Sequence, residues 1–251
     1  MGAIEATALT KRYGEVRAVE DLSLSIEERA IYGFLGPNGA GKTTTMRLLT
    51  GLTEPTSGTA TVAGVPISDR AALSERIGYL PADPPVFDEL TGREYVRYLA
   101  RLHELDSETT EERMDRYFDQ FALAADADRR IDSYSTGMRK KLGVIGAVFH
   151  DPEVLFLDEP TSGLDPRAAR TMRELIAELS DRAMTVFLST HILPVAEQLA
   201  DTVGVIHKGR LVAEGDPTEL TRQVEGAEDS DLETVFLEVT TERNGHDTQT
   251  H

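Results

Sequence analysis

The run Gly36-Pro37-Asn38-Gly39-Ala40-Gly41-Lys42-Thr43-Thr44 sets three glycines, a lysine and paired hydroxyls within nine residues. Glycines let a backbone turn so tightly that successive N–H groups face one concavity. A helix opening at the lysine adds the positive end of its dipole, about half an elementary charge. Such a cradle suits a polyphosphate: the amides of Gly36 to Thr44 surround it, Lys42 reaches its β and γ phosphates, and the Thr43 hydroxyl ligates Mg²⁺. A second chemical pair is Asp158-Glu159, at the end of the apolar run Val154-Leu155-Phe156-Leu157. One carboxylate there can hold Mg²⁺ through water and the other can polarise an attacking water. His191 ends a third run, Met184 to Leu188 followed by Ser189-Thr190. A histidine at a strand end is usually a polar edge, so its chemical reading depends on the three ends converging.

The elements that must position these groups can be read from periodicity. Ala30, Ile31, Tyr32, Phe34 and Leu35 form a short buried strand before the glycine loop, and Met46, Leu48, Leu49 and Leu52 continue as a helix after it. The unbroken apolar run before Asp158 reads as a central strand of a parallel sheet, and ligands sit at the carboxyl ends of such strands. Ile4 to Ile26 alternates apolar and polar residues and predicts two antiparallel strands turning at Tyr13-Gly14; Thr59 to Ile67 predicts a hairpin bending at Gly64. From residue 84 to 150 the pattern becomes helical. Thr91 with Glu94, and Thr109 with Glu112, have capping-box spacing, and Met114, Tyr117, Phe118 and Phe121 form a core-facing stripe. Asp126 to Asp132 reads as a charged link, Gly137 to Phe149 as a helix, and a further helix opens at Pro166. Val203 to Ile206 and Arg210 to Ala213 predict a hairpin, followed by a helix from Thr218 and a short segment from Leu232 to Val239. Residues 240–251 are polar and expected to be disordered.

Composition narrows the function classes. The 251 residues carry a formal net charge of -18, and only five of the 26 basic residues are lysines. That balance argues against generic nucleic-acid binding, which needs clustered positive charge. Self-repulsion of this size is tolerable where salt shortens the Debye length to a few Å. A salt-rich cytoplasm, as in halophilic archaea, is therefore expected, with an ordinary acidic protein as the alternative. There is no cysteine, which excludes disulfides and thiolate metal sites. No stretch reaches the 18 or more apolar residues that span a bilayer, and the N-terminus lacks a signal-peptide pattern, so a soluble chain that stays where it is made is expected.

In combination these motifs resemble the ATP-binding subunit of an ABC transporter, over residues 4 to about 220. The phosphate loop at 36 to 43, Asp158-Glu159, Ser162-Gly163-Leu164-Asp165 and His191 follow the family's order. The resemblance implies an α/β fold: a P-loop ATPase core with a mainly parallel sheet and an antiparallel β layer (1–83 and 151–220), an inserted helical subdomain (84–150), all within one domain over 1–239. It assigns Tyr13 to stacking on adenine, Lys42 to the phosphates, Thr43 and Asp158 to Mg²⁺, Glu159 to the general base and His191 to the γ-phosphate. Tyr134-Ser135-Thr136-Gly137-Met138 stands in place of the family's signature, usually Leu-Ser-Gly-Gly-Gln. It keeps Ser135 and Gly137, and with the basic residues after it resembles the subgroup paired with export-type permeases. Those two residues are expected to close over the ATP of a second ATPase subunit, identical or not. An integral-membrane permease is the expected partner, and the inner face of the cell membrane the expected location. A soluble ABC-type ATPase acting on nucleic acid or ribosomes is the alternative. After Tyr79-Leu80-Pro81, Ala82 replaces the family's usual Gln, and Asp83 offers a carboxylate one residue late.

Overall fold

In the computed structural model, residues 2–180, 184–223, 234, 236 and 237 are described. The strands in chain order are β1 (Ile4–Tyr13), β2 (Val16–Ile26), β3 (Ile31–Leu35), β4 (Ser57–Val62), β5 (Val65–Pro66), β6 (Ile77–Leu80), β7 (Val154–Asp158), β8 (Thr185–Thr190), β9 (Thr202–His207) and β10 (Arg210–Gly215). The helices are α1 (Lys42–Leu49), α2 (Arg70–Arg76), α3 (Gly92–Leu102), α4 (Ser107–Gln120), α5 (Thr136–Val148), α6 (Pro166–Ser180), α7 (Leu193–Leu199) and α8 (Pro217–Gln223).

Two sheets result. The alternating strands make an antiparallel sheet in the order β2-β1-β4-β5. The apolar strands make a six-stranded sheet in the order β10-β9-β3-β8-β7-β6, parallel except for the hairpin strand β10. Every residue of β3, β7 and β8 is buried, as expected of strands covered on both faces. Between the sheets lies a core in which Phe187 meets Phe34 and Phe156 with ring centroids 5.2 and 5.5 Å apart. Each such aromatic pair contributes about 1 kcal/mol beyond its area. The other face of the large sheet belongs to a core with α5 and α6, and the stripe Met114, Tyr117, Phe118 and Phe121 joins that core where Tyr117 meets Val148 and Phe149 at the end of α5. Register decides where the polar strand ends fall: Leu35 pairs with Thr190, and Asp158 with Ser189, so β3, β8 and β7 finish side by side.

Several local expectations change. The capping box at Thr91 forms, with Thr91 accepting from the Glu94 amide and Glu94 from the Thr91 amide. The second does not: α4 starts earlier, capped by Asp106, which accepts from the Thr109 amide at 2.9 Å. Asp106 is the stronger cap, since a carboxylate both accepts and answers the helix dipole. The helical segment opens only at Gly92, because Pro84 and Pro85 hold the preceding loop extended. The charged link at 126 to 132 is flanked and closed by single 3-10 turns at Ala124–Asp126 and Ile131–Ser133. Helices α2 and α7 lie where no element was expected. The Leu232 to Val239 segment, apart from three positions, and the tail at 240–251 lie outside the described residues.

Candidate active site

The glycine loop leaves β3 buried and enters α1 at Lys42. Its tightness is enforced by neighbours. A Cβ on Gly36 would stand 2.6 Å from the Ile206 carbonyl oxygen, and one on Gly41 would stand 2.5 Å from that of Ala18. Gly41 also has φ +115°, a conformation that L side chains rarely adopt. The loop is braced from outside, since the Gly209 amide donates to Ala40 and the Glu20 amide to Gly209, each at 2.8 Å. The Lys208-Gly209 turn between β9 and β10 thus fixes the loop's rim. An open cleft of about 350 Å³ lies over it, lined by Val16, Arg17, Asn38, Thr43, Glu159 and Lys208 among others.

The three strand ends meet on this loop. Lys42, 6% exposed, donates to the carbonyls of Gly36 at 2.7 Å and Pro37 at 3.3 Å, and its ammonium lies 3.3 Å from Glu159 Oε1. Thr43 Oγ1 donates to Asp158 Oδ2 at 2.9 Å, while the Ser189 hydroxyl donates to Asp158 Oδ1. Both oxygens of this buried carboxylate are therefore held. Glu159 Oε2 accepts from His191 Nδ1 at 2.9 Å. A carboxylate can only accept, so Nδ1 carries the proton. Glu159 Oε1 is itself buried and accepts no hydrogen bond, having only the Lys42 charge beside it. Glu159 sits at φ 50°, the left-handed region, at a cost of about 1 kcal/mol or more for a residue with a Cβ. Its amide donates to the Ser189 carbonyl at 3.1 Å, which ties the strained residue to β8.

The remaining expected residues lie elsewhere. Tyr13 ends β1, is 49% exposed, and has the Lys11 ammonium 5.1 Å from its ring; it is not among the residues lining the cleft. Ser135 caps α5, accepting from the Met138 amide at 3.2 Å, and Gly137 lies in that first turn. Among the described residues no hydrogen bond or ion pair joins either to Lys42, Thr43 or Glu159. Ala82 and Asp83 are exposed in the loop after β6. Sequence reasoning missed Ser189 as the second holder of Asp158, and it missed Tyr79. Burial, then the nearby Asp158 charge, raises the Tyr79 phenol, which also pairs with Arg47. In the sequence, Ser189 reads only as the end of a strand and Tyr79 only as part of the run before Ala82.

A glycine-rich turn between strand and helix, with a lysine and threonine at its end facing two carboxylates from the parallel strand next but one, defines a P-loop nucleotide-binding protein. Comparison with known proteins narrows this. The sequence model of the ABC transporter family matches residues 19–162. The bacitracin transport ATP-binding protein BcrA of Bacillus licheniformis is 40% identical over 213 residues, 84% of this chain and 69% of the relative. The Nod factor export ATP-binding protein I of Mesorhizobium japonicum is 38% identical over 219 residues, 87% of this chain and 64% of the relative. A solved ATP-binding subunit of an ABC transporter superposes with a TM-score of 0.85 at 29% identity, covering 95% of this chain and 99% of that one. The chain belongs to the ABC transporter family, among its ATP-binding subunits. It spans about two thirds of the length of the two relatives named.

Proposed function

We propose that this chain hydrolyses ATP to drive a separate membrane permease, and that Lys42, Thr43, Asp158, Glu159 and His191 are its working residues. The observation that carries the reading is the contact of the β7 carboxylates with the glycine loop: Asp158 on Thr43, Glu159 beside Lys42. The amides of Gly36, Pro37's loop neighbours Asn38, Gly39 and Ala40, and Gly41 to Thr44 surround the phosphates, and Lys42 neutralises them. The hydroxyl of Thr43 and the carboxylate of Asp158 are hard oxygen donors 2.9 Å apart, a pair that fits Mg²⁺, which takes few protein ligands and completes its shell with water and phosphate oxygens. Among the described residues no group of three His, Cys, Asp or Glu forms a cage of its own, which suits an ion that arrives with the nucleotide. When bound, Mg²⁺ supplies positive charge to the phosphate oxygens. Glu159 takes the proton of the attacking water on its unbonded Oε1 as that water's oxygen bonds the γ-phosphorus and the bond to ADP breaks; His191 fixes the carboxylate through Oε2, and its bond to the γ-phosphate requires a proton on Nε2 as well.

Tyr13 stacks on adenine, and Ser135 and Gly137 reach the ATP of a second ATPase subunit, identical or not, so that ATP closes a dimer and hydrolysis opens it. Their separation from the chain's own Lys42 supports this reading. The names of the relatives support an exporter. No helix among the described residues is long and apolar enough to cross a membrane; on this reading the permease is another chain, this subunit works on the cytoplasmic face, and nucleic acid has no role. Residues 1–83 and 151–220 act as the core, 84–150 as the helical subdomain facing the permease. The -18 charge supports a halophilic, archaeal source; secondary structure that persists unchanged from molar to about 0.1 M KCl would refute it.

The decisive experiment is Glu159→Gln. Hydrolysis falls by at least about 10², and the blocked protein accumulates with ATP at twice its 27.6 kDa mass by light scattering, a dimer that Ser135→Arg abolishes. Wild-type hydrolysis by Glu159→Gln sinks the catalytic assignment. Affinity purification from detergent-solubilised membranes recovers a polytopic membrane chain; ribosomes or nucleic acid without one sink the transport reading.

A further inference from the structure

Lys140 is a buried lysine to which the chemistry above gives no task. It projects from the second turn of α5, five residues after Ser135, and is 5% exposed. No carboxylate lies within ion-pair distance of its ammonium among the salt bridges of the described residues. Instead Nζ donates to two backbone carbonyls, that of Glu159 at 2.8 Å and that of Ser162 at 2.7 Å. These carbonyls open and close the turn Glu159-Pro160-Thr161-Ser162, whose own closure is a single bond from the Ser162 amide to the Glu159 carbonyl at 3.1 Å. Burial, the largest influence, lowers the Lys140 ammonium from its usual range, while the charges of Glu159, Asp158 and Asp83 raise it. A structural lysine is ordinarily exposed or paired, so an ammonium spent on two carbonyls marks a turn that must be held.

We propose that Lys140 is a positioning residue for Glu159, linking the helix that begins at the signature residues to the backbone of the catalytic turn. The strained φ of 50° at Glu159 is held from both sides: its amide by Ser189, its carbonyl by Lys140 together with the Ser162 amide. Loss of the Lys140 ammonium leaves that carbonyl only the Ser162 amide and frees the Ser162 carbonyl, which loosens the turn and lets the carboxylate shift from Lys42 and His191. Because the same ammonium binds Ser162, any displacement of α5 is passed directly to the turn. This role rests on the assignment of Glu159 as base, but it is separately testable.

The test uses the full chain with Lys140→Met, which keeps the length and removes both donors, and Lys140→Gln, which keeps N–H donors without the charge. Steady-state ATP hydrolysis, binding of a fluorescent ADP and thermal unfolding are measured for each, beside Glu159→Gln. Positioning predicts that Lys140→Met loses on the order of 10-fold to 100-fold in kcat, the scale of a misplaced catalytic group, with KM and ADP affinity within about twofold. Lys140→Gln recovers part of the loss. If Lys140→Met fails to fold, the kcat-against-KM split of Lys140→Gln alone decides. Wild-type kcat in either folded variant overturns the proposal, as does a loss confined to KM or ADP affinity. If Lys140 variants are active while Glu159→Gln is dead, only the positioning role fails; if Glu159→Gln is active, the base assignment fails with it.

Discussion

Glu159→Gln should separate binding from chemistry in opposite directions. Lys42 is engaged within the protein, with Glu159 Oε1 3.3 Å from its ammonium and the Gly36 and Pro37 carbonyls at 2.7 and 3.3 Å. A phosphate must draw Lys42 away from Glu159. At an effective dielectric near 20 the bare attraction at this distance is about 5 kcal/mol. Desolvation and the poor hydrogen-bond angle leave a net contribution of about 1 kcal/mol, the scale of partly buried pairs. Neutralising Glu159 removes that competition, and the ammonium keeps its two carbonyls. ATP affinity should therefore rise by about fivefold, while hydrolysis drops by about 10² or more for lack of a base. Titration with a fluorescent ATP analogue, paired with phosphate release, reads both. Unchanged or weaker binding together with lost hydrolysis would mean that Glu159 helps hold the nucleotide, and the competition argument would be wrong.

Gly41→Ala places a Cβ 2.5 Å from the Ala18 carbonyl in a backbone at φ +115°, so nucleotide binding should vanish and the melting temperature fall by the equivalent of about 2 to 4 kcal/mol; retained ATP affinity would contradict the loop geometry. His150 is stacked on His103 at 4.0 Å, donates from Nε2 to the Ile77 carbonyl at 3.0 Å, and lies near Asp151 and Arg113. Burial, then the His103 charge, pushes it down to about 4. The native ring stays neutral while the unfolded one takes a proton below about pH 6.5, so its stabilisation is full above 6.5 and is lost as pH falls toward 4, on the order of 2 kcal/mol after allowing for partial exposure. His150→Gln should flatten denaturant stability between pH 6.5 and 4.5, and an unaltered slope would count against it. Asp83→Ala should slow hydrolysis by about two orders of magnitude if that carboxylate replaces the missing Gln at Ala82, whereas Ala82→Gln should change it by less than about tenfold; an active Asp83→Ala removes Asp83 from the mechanism.

The strands were legible wherever burial is two-sided, because β3, β7 and the centre of β8 are apolar runs, and each leads directly into a candidate site residue: Gly36, Asp158 or Ser189. The helix starts were legible less evenly. Thr91 and Asp106 are both real caps, but the spacing of Thr109 and Glu112 imitates one, and only the fold of the preceding turn separates them. Helix α2 has seven residues, too short to show a period of 3.6. The site's chemistry stood out in residue types, yet its electrostatics did not. Nothing in the spacing shows that Lys42 rests against Glu159, or that Ser189 and Thr43 divide the two oxygens of Asp158, because these contacts join residues more than 30 positions apart through sheet register.

That register has a consequence for how nucleotide binding is felt by the rest of the chain. Lys42 sits by Glu159, Thr43 on Asp158 and His191 on Glu159, so these side chains satisfy one another's charges. On the proposed assignment, phosphates taking Lys42 and a cation taking Thr43 would exchange these partners for new ones, and Glu159 and Asp158 would lose their contacts to α1. The released Glu159 stays tied through its amide to β8 and through its carbonyl to Lys140 on α5. A change at the phosphate loop therefore reaches the helix that carries Ser135 and Gly137 through two hydrogen bonds, without any rearrangement of the buried sheet, whose close packing would resist it.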